Sequence, residues 1–539
     1  MINIRKSAWI VASAIFITGC SPLSKIAKTP LDTIPSNVPS QAAEVSEETL
    51  KTWPHANLAT DGFPGMNLQG AYDLLKGLKS TNVIVGVIDS GIDINHEDLK
   101  EVIWVNPGEI PGNGIDDDNN GYIDDVHGWN FLGNINHENL EFVRILKTND
   151  KMNPEYLTAK EKYDQEYNDA IQNKLYYEQL VKMVETAHPA LQKATKKDDY
   201  TVEDLMDLQT NDDMIQQYAG FMGQMIAFAG SPDKAKEELG DAIKYFDSKL
   251  NYHLNLDYSP REELLGDNPD DINDRVYGDN NVIGPDIDEA LHGTHVAGII
   301  GAVRNNGIGM NGVADNITIM ALRAVPDGDE YDKDIALAIR YAADNGAKVI
   351  NTSFGKDFSP HTQWVHDAIK YAAEKDMLIV NAAGNDSKNI DEHEVYPNDE
   401  INGKEIADNF LTVGALNYTF DKNLVASFSN FGQRNVDIFS PGVKIWSTAP
   451  ENSYKFLQGT SMASPEVAGL AALIRSYFPN LTAAQVKKAI MQSGVAPKMK
   501  VEVGEDNTEE DFAILSASGK IVNARNAIII AAQMSKAKK

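Results

Sequence analysis

Long apolar runs that end in glycine or polar residues recur along the chain, and they indicate strands that are buried on both faces. The first run covers residues 81–88 and is followed at once by Asp89-Ser90-Gly91. Nearly continuous apolar runs are typical of parallel sheets, because helices cover both faces of such sheets. Similar runs recur at 317–324, 348–353, 377–383 and 410–415.

Helical patterns lie between these runs, at 334–344 and 366–375, and a further helix is predicted from Ser461 to about Ser476. Strands that alternate with helices predict an α/β fold with right-handed crossovers. We therefore expect a predominantly parallel sheet flanked by helices. In such sheets, ligand sites lie beyond the carboxyl ends of the strands.

Residues 138–256 have a different pattern and predict a large helical insertion within the α/β domain. The segment holds only four glycines and is rich in Glu, Lys, Gln, Tyr and Met. Its Pro189 and its Ser231-Pro232 pair are expected to separate helices. Six methionines either pack the core of the insertion or belong to a lid over a cleft. One amphipathic face is predicted from residues at steps of four: Tyr163, Tyr167, Ile171 and Leu175.

The first residues are typical of an export signal. Arg5 and Lys6 precede an apolar run at 8–17, which is too short to span a bilayer. The run ends in Ile17-Thr18-Gly19-Cys20, which resembles the bacterial lipobox. This resemblance implies cleavage before Cys20, lipidation of its thiol and anchoring to a bacterial membrane. We expect the outer membrane, with the protein facing the periplasm or the exterior, and residues 21–46 as a polar tether.

Composition narrows the functional classes. The chain has 539 residues, 48 Lys and Arg against 79 Asp and Glu, and a net charge of −31. This acidity argues against a nucleic-acid partner, which needs a basic surface. The 42% of apolar residues rules out wholesale disorder. With Cys20 as its one cysteine, the chain forms no intrachain disulfide and no cysteine-built zinc site.

Three segments carry candidate chemistry. Asp89 ends the first strand in IDSGID, His292 lies in LHGTHVAGI, and Ser461 opens a helix in GTSMASPEVAG. A hydroxyl is a weak nucleophile at neutral pH, so it needs a base, and the base needs a carboxylate that orients it. Each segment alone is also compatible with a structural role, as a turn or helix cap.

Together and in this order, the three segments resemble the subtilisin-like serine proteases. The resemblance implies a serine endopeptidase that acts on proteins or peptides through Asp89, His292 and Ser461, with His295 structural. It also implies that the Asn385 amide stabilises the oxyanion. An extended substrate would pair with the segments that line the specificity pocket, namely Ser353, Phe354, Gly355, Ala382, Ala383 and Gly384.

Two alternatives to a protease stay open at this point. A pseudoprotease would bind peptides in the same cleft without cleaving them, although no catalytic residue is missing. A metallohydrolase would use His292 and His295, but the sequence contains no HExxH motif.

Two features depart from the family pattern: Glu466 follows Pro465, and the 34 residues from Ser21 to Pro54 are too few for the usual folding domain. Asp386 is a candidate residue at the rim of the specificity pocket, where it would favour substrates with basic side chains.

The acidic segment NGIDDDNNGYIDD at 113–125 predicts a calcium site, because calcium favours several oxygen ligands on a tight turn. A solvated acidic turn is the alternative. Weaker candidates are 267–274 and the loop 305–310 with Asp98. The predicted organisation is a signal at 1–19, a lipidated tether at 20–54, a protease domain at 55–137 and 257–539, and the insertion at 138–256. A monomer is expected. The predicted calcium ligands are Asp116, Asp118, Asn120 and Asp124.

Overall fold

The computed structural model describes residues 22–41 and 44–537. A seven-stranded sheet with the order β2-β3-β1-β4-β5-β8-β9 forms its centre, and all neighbouring strands in it are parallel. The strands are β1 Val83–Asp89, β2 Gly128–Asn130, β3 Ile317–Arg323, β4 Val349–Thr352, β5 Leu378–Ala382, β6 Glu400–Ile401, β7 Lys404–Glu405, β8 Phe410–Leu416, β9 Ile438–Pro441, β10 Ile445–Ala449, β11 Ser453–Leu457, β12 Lys500–Val503 and β13 Thr508–Asp511.

Helices cover both faces of the sheet. One apolar cluster joins Val85 and Val87 to the helices at 291–301, 460–477 and 524–537, and a second joins Ile88 to the helices at 332–344 and 362–374. The predicted α/β fold is therefore confirmed. The helices are α1 Pro22–Ile26, α2 Glu47–Leu50, α3 Leu58–Asp61, α4 Leu68–Leu75, α5 Glu141–Lys147, α6 Tyr156–Thr195, α7 Val202–Met206, α8 Asp213–Ala229, α9 Pro232–Ser248, α10 Leu291–Gly301, α11 Asp332–Asp344, α12 Thr362–Glu374, α13 Thr460–Tyr477, α14 Ala483–Ser493 and α15 Ala524–Ala537.

Residues 138–256 contain α5 to α9, as the composition predicts. Pro189 does not separate helices, however, because it lies inside the 40-residue helix α6. The predicted face of α6 is also only partly correct: Leu175 is 52% exposed, whereas Val184 and Leu191 are buried. Among the methionines, Met222 packs in the insertion's own core, while others are exposed.

Residues 22–41 lie against the protease domain, which differs from the polar tether expected for 21–46. Ile26 is buried, and α1 packs against α15. Asp32 forms an ion pair with Arg525 at 2.5 Å, and its backbone N–H donates to the Asn526 side chain at 2.7 Å. The signal and Cys20 lie outside the described residues. Within the described residues, every helix is too short or too polar to cross a membrane.

Candidate active site

Asp89 and His292 come together at the carboxyl edge of the sheet. Asp89 is the last residue of β1, and its Oδ1 accepts hydrogen bonds from His292 Nδ1 at 2.7 Å and from the Ser90 backbone N–H at 2.8 Å. His292 lies in the first turn of α10. Gly293 permits this approach, since a Cβ there would lie 2.2 Å from the Gly91 carbonyl oxygen.

The carboxylate of Asp89 determines both the orientation and the basicity of His292. Burial lowers the pKa of the imidazole, but the charge of Asp89 and its hydrogen bond outweigh burial and raise that pKa above its usual value. With Nδ1 engaged by Asp89, Nε2 is the nitrogen free to exchange a proton. The side chain of His292 remains 39% exposed, whereas that of Asp89 is 2% exposed.

Ser461 lies in the first turn of α13, and α13 packs against α10, the helix that carries His292. Its Oγ donates a hydrogen bond to the Ser353 carbonyl at 3.2 Å. In return, Ser353 Oγ donates to the Ser461 carbonyl at 2.9 Å. The serine is therefore held beside the predicted substrate-binding segment, at a helix N-terminus that favours negative charge.

Asn385 has its side-chain amide oriented by Thr460. Asn385 Oδ1 accepts from the Thr460 backbone N–H at 2.8 Å and from Thr460 Oγ1 at 3.0 Å. Thr460 Oγ1 in turn accepts from the Gly384 N–H at 3.1 Å. Because both contacts use the oxygen of Asn385, its Nδ2 hydrogens are left to donate, and the residue is exposed.

Two buried residues of this site, Asn351 and Ser464, were not predicted from the sequence. Ser464 Oγ donates to Asn351 Oδ1 at 2.8 Å, and Asn351 Nδ2 donates to Ser353 Oγ at 2.8 Å. These two hydrogen bonds fix the Ser353 hydroxyl, which donates to the Ser461 carbonyl. The available indication was Asn351 itself, an amide side chain that directly follows the apolar pair Val349-Ile350 in β4.

The two predicted substrate-binding segments lie on neighbouring strand ends. Ser353-Phe354-Gly355 directly follows β4, and Ala382 ends β5, before Ala383 and Gly384. A cavity of about 190 Å³ adjoins Ala382 and Ala383. Asp386, the predicted rim residue, is exposed but does not line this cavity. The cavity's carboxylate side chains are Asp391, Glu392, Glu394, Asp399 and Glu400.

His295 is buried and has contacts suited to a structural role. Its Nε2 lies 3.1 Å from the carbonyl oxygens of Ile445 and Lys455, which belong to the β10–β11 hairpin. Burial lowers its pKa to about 3, so the ring is neutral near pH 7. His295 therefore joins α10 to this hairpin.

Glu466, the unusual residue after Pro465, is buried at 2% exposure in the helix of Ser461. Its Oε2 has no hydrogen-bond partner among the described residues and lies 3.8 Å from His55 Nε2. Burial raises the pKa of Glu466 to about 8, so its carboxyl group is mostly protonated at neutral pH.

In the acidic loop, the side chains predicted to bind calcium are engaged in hydrogen bonds of the loop itself. Asp124 Oδ1 and Oδ2 accept backbone N–H groups of residues 112–114, and both oxygens of Asp116 accept backbone N–H groups of residues 120 and 121. Asn120 donates its amide to Asp118 and Asp125. Asp118 instead groups with two residues outside the predicted set, Glu109 and Asp125, and ligand oxygens of the three lie within 4.8 Å of one another.

Comparison with known proteins agrees with this arrangement. The sequence model of the subtilase family matches residues 80–519. A thermophilic serine proteinase of Bacillus sp. (strain AK1) is 45% identical over 204 residues, 38% of this chain and 46% of that protein. Subtilisin DY of Bacillus licheniformis is 36% identical over 201 residues, 37% of this chain and 68% of that protein. Thermitase of Thermoactinomyces vulgaris is 38% identical over 186 residues, 34% of this chain and 61% of that protein.

The aligned part thus spans less than half the length of the Bacillus sp. proteinase. The family match is broader, because it reaches from the start of β1 past β13 and includes Asp89, His292 and Ser461. On the extent of that match, this chain belongs to the subtilase family.

Proposed function

We propose that the protein is a serine endopeptidase in which Ser461 is the nucleophile, His292 the general base and Asp89 the residue that orients His292. The observation that carries the proposal is the 2.7 Å contact between Asp89 Oδ1 and His292 Nδ1, on a helix packed against the helix of Ser461. The relatives described as serine proteinase, subtilisin and thermitase support the same activity.

The reaction would begin when the Ser461 hydroxyl turns from the Ser353 carbonyl towards His292 Nε2. His292 accepts the proton as Ser461 Oγ attacks the carbonyl carbon of the scissile bond. Negative charge then develops on the carbonyl oxygen, and Asn385 Nδ2 with the N-terminus of α13 stabilises it. His292 returns the proton to the leaving amine. Water then hydrolyses the acyl-enzyme by the same steps in reverse.

The substrate would be a protein or peptide bound in an extended conformation between 353–355 and 382–384. Both segments leave parallel strands at the same edge of the sheet, so their backbones can pair with an added strand. The hydrogen bonds of Ser353 to Ser461 keep the first segment next to the nucleophile.

Covalent labelling by a fluorophosphonate tests this proposal, because the reagent needs an activated serine. The protease is expected to be labelled at Ser461. A pseudoprotease or a metallohydrolase that uses His292 and His295 would remain unlabelled, so the experiment distinguishes a serine protease from both alternatives.

The protein is also proposed to be exported and anchored to a bacterial membrane through a lipid on Cys20. The support is the basic, apolar and Gly19-Cys20 pattern of the first residues. A lipidated cysteine with more than one acyl chain is held stably at a membrane.

A structural calcium site is proposed in the acidic loop, with Glu109, Asp118 and Asp125 as ligands. Glu109 is 8% exposed, and its Oε2 has no hydrogen-bond partner among the described residues, while Asp125 is fully buried. An unpaired buried carboxylate oxygen is costly, and a hard cation that accepts oxygen ligands would offset that cost. Bound calcium would offset two of the three negative charges and hold the loop against Asn106, which donates to Asp118 and Asp125.

A further inference from the structure

A buried lysine connects the helical insertion to the substrate-binding segment. Lys356 directly follows Gly355, and its side chain is 1% exposed. Its Nζ donates to Glu141 Oε2 at 2.8 Å and to the Glu330 carbonyl at 2.7 Å, and lies 2.9 Å from Asp332 Oδ1. Glu141 is the first residue of α5, the helix with which the insertion begins. The insertion is therefore connected to the substrate-binding segment 353–355 through the buried ion pair of Glu141 and Lys356.

Glu141 is itself held in place by Arg144. Arg144 Nη2 donates to Glu141 Oε2 at 2.5 Å, and the guanidinium lies 3.8 Å from the ring centroid of Tyr331. Burial would raise the pKa of Glu141, but the charges of Arg144 and Lys356 outweigh burial and hold the pKa at about 2. Glu141 is thus ionised near neutral pH, and its oxygen is shared between two cations.

Hydrogen bonds also fix the backbone on both sides of Gly355. The backbone N–H of Lys356 donates to the Tyr396 carbonyl, and the Tyr396 N–H donates to the Lys356 carbonyl, both at 2.9 Å. Three residues earlier, Ser353 exchanges hydrogen bonds with Ser461. The segment 353–356 is therefore fixed to the nucleophile at one end and to Glu141 at the other.

Apolar and ionic contacts of the insertion strengthen this connection on the far side of Lys356. Phe142 of α5 meets Phe358 with ring centroids 6.2 Å apart, and both are buried. Lys162 of α6 forms an ion pair with Asp357. The insertion contacts each of the three residues from 356 to 358. The position of the insertion is therefore coupled to that of the substrate-binding segment 353–355.

We propose that Glu141 is a positioning residue for substrate binding: through Lys356 it holds 353–355 in register with an extended peptide. This inference rests on the proposed function and assigns the insertion a part in it. Binding energy from the extended part of a substrate is used to orient the scissile bond. A shift of the segment should therefore impair long substrates much more than short ones, which have less backbone to pair with it.

The test compares kcat/KM for a peptide with four residues before the scissile bond with that for a single-residue ester. In the Glu141→Gln variant, which keeps the size of the side chain but removes its charge, the advantage of the long substrate should fall by about 10²-fold, because misplacement by about 1 Å costs this much. Concentrations are normalised to the fraction of protein that a fluorophosphonate labels, so unfolded molecules do not contribute. For the long substrate, kcat should decrease and KM should increase.

The matched control is Glu166→Gln. Glu166 pairs with Lys249 at 2.5 Å, a contact between two residues of the insertion, and its loss should leave the ratio unchanged. Lys356→Met removes the same contact from the other side and should reproduce the effect of Glu141→Gln. Equal losses for long and short substrates, or failure of both variants to fold, would make the pair purely structural and overturn the inference. Wild-type protein that hydrolyses neither substrate would overturn the proposed function as well, whereas an unchanged ratio overturns only the inference.

Discussion

At the scale of single residues, Asn385 has a donor that is oriented before any substrate arrives. Both contacts with Thr460 use the amide oxygen, so Nδ2 is directed to other partners. Asn385→Ala should lower kcat by about 10²–10³-fold with little change in KM, because the amide binds the oxygen most strongly when that oxygen carries negative charge. Steady-state kinetics on a peptide substrate measures this. A rise in KM at constant kcat would instead assign Asn385 to ground-state binding.

Glu466 makes stability depend on pH. Its pKa is about 8 in the folded protein and near 4.5 when unfolded, so the folded state binds the proton more tightly. Its contribution is therefore full below about pH 4.5 and is lost as pH rises through 8. Glu466→Gln should remove this loss, so the variant's stability relative to wild type should rise from pH 5 to pH 9. Urea unfolding at both pH values measures it, and a constant difference would contradict the assignment.

The three residues of the proposed triad could be singled out because each lies in a distinctive motif at a strand or helix end. Asn351 and Ser464 could not, since their role arises only when β4 and α13 pack together and bring them to 2.8 Å. Asp124 was predicted as a ligand from its spacing, and its hydrogen bonds to the backbone of residues 112–114 form only when the loop folds back on itself.

At the scale of elements, the acidic loop is expected to bind calcium. A chelator should lower the Tm and calcium should restore it, since a ligand of the folded state adds about 2.7 kcal/mol at 100 times its Kd. Glu109→Gln together with Asp118→Asn should remove the response. Asp116→Asn is the matched control, because the Asp116 oxygens accept backbone N–H groups outside the three-carboxylate cluster. Calorimetric scans with a persistent response in the double variant would place calcium elsewhere.

Five of the seven strands of the sheet could be predicted from apolar runs, because burial on both faces leaves a simple pattern, whereas the short strands β2 and β9 were not predicted. The helix α6 shows where the pattern is insufficient. Pro189 lies inside it, and tertiary contacts of Val184 and Leu191 outweigh the loss of one backbone hydrogen bond. The packing of α1 on α15 was likewise hidden, because its partners lie nearly 500 residues away in sequence.

At the scale of the whole molecule, the close packing of residues 22–41 bears on membrane attachment. If Cys20 is lipidated, only Ser21 lies between it and α1 in the sequence, so the protease domain would sit directly at the membrane surface. In a bacterial host the protein should partition into detergent with the mass of a lipidated species, and Cys20→Ser should abolish that mass. Unmodified protein in the soluble fraction would contradict the anchor.

The central claim is that Ser461 is a nucleophile activated by His292 and Asp89, and peptide mapping after fluorophosphonate treatment tests it most directly. The account predicts one label per molecule, on the peptide that contains Ser461. It also predicts no label in Ser461→Ala, and labelling slowed by orders of magnitude in His292→Ala, which keeps the serine but lacks the base. A label on another serine, or equal labelling of the folded His292→Ala variant, would contradict it.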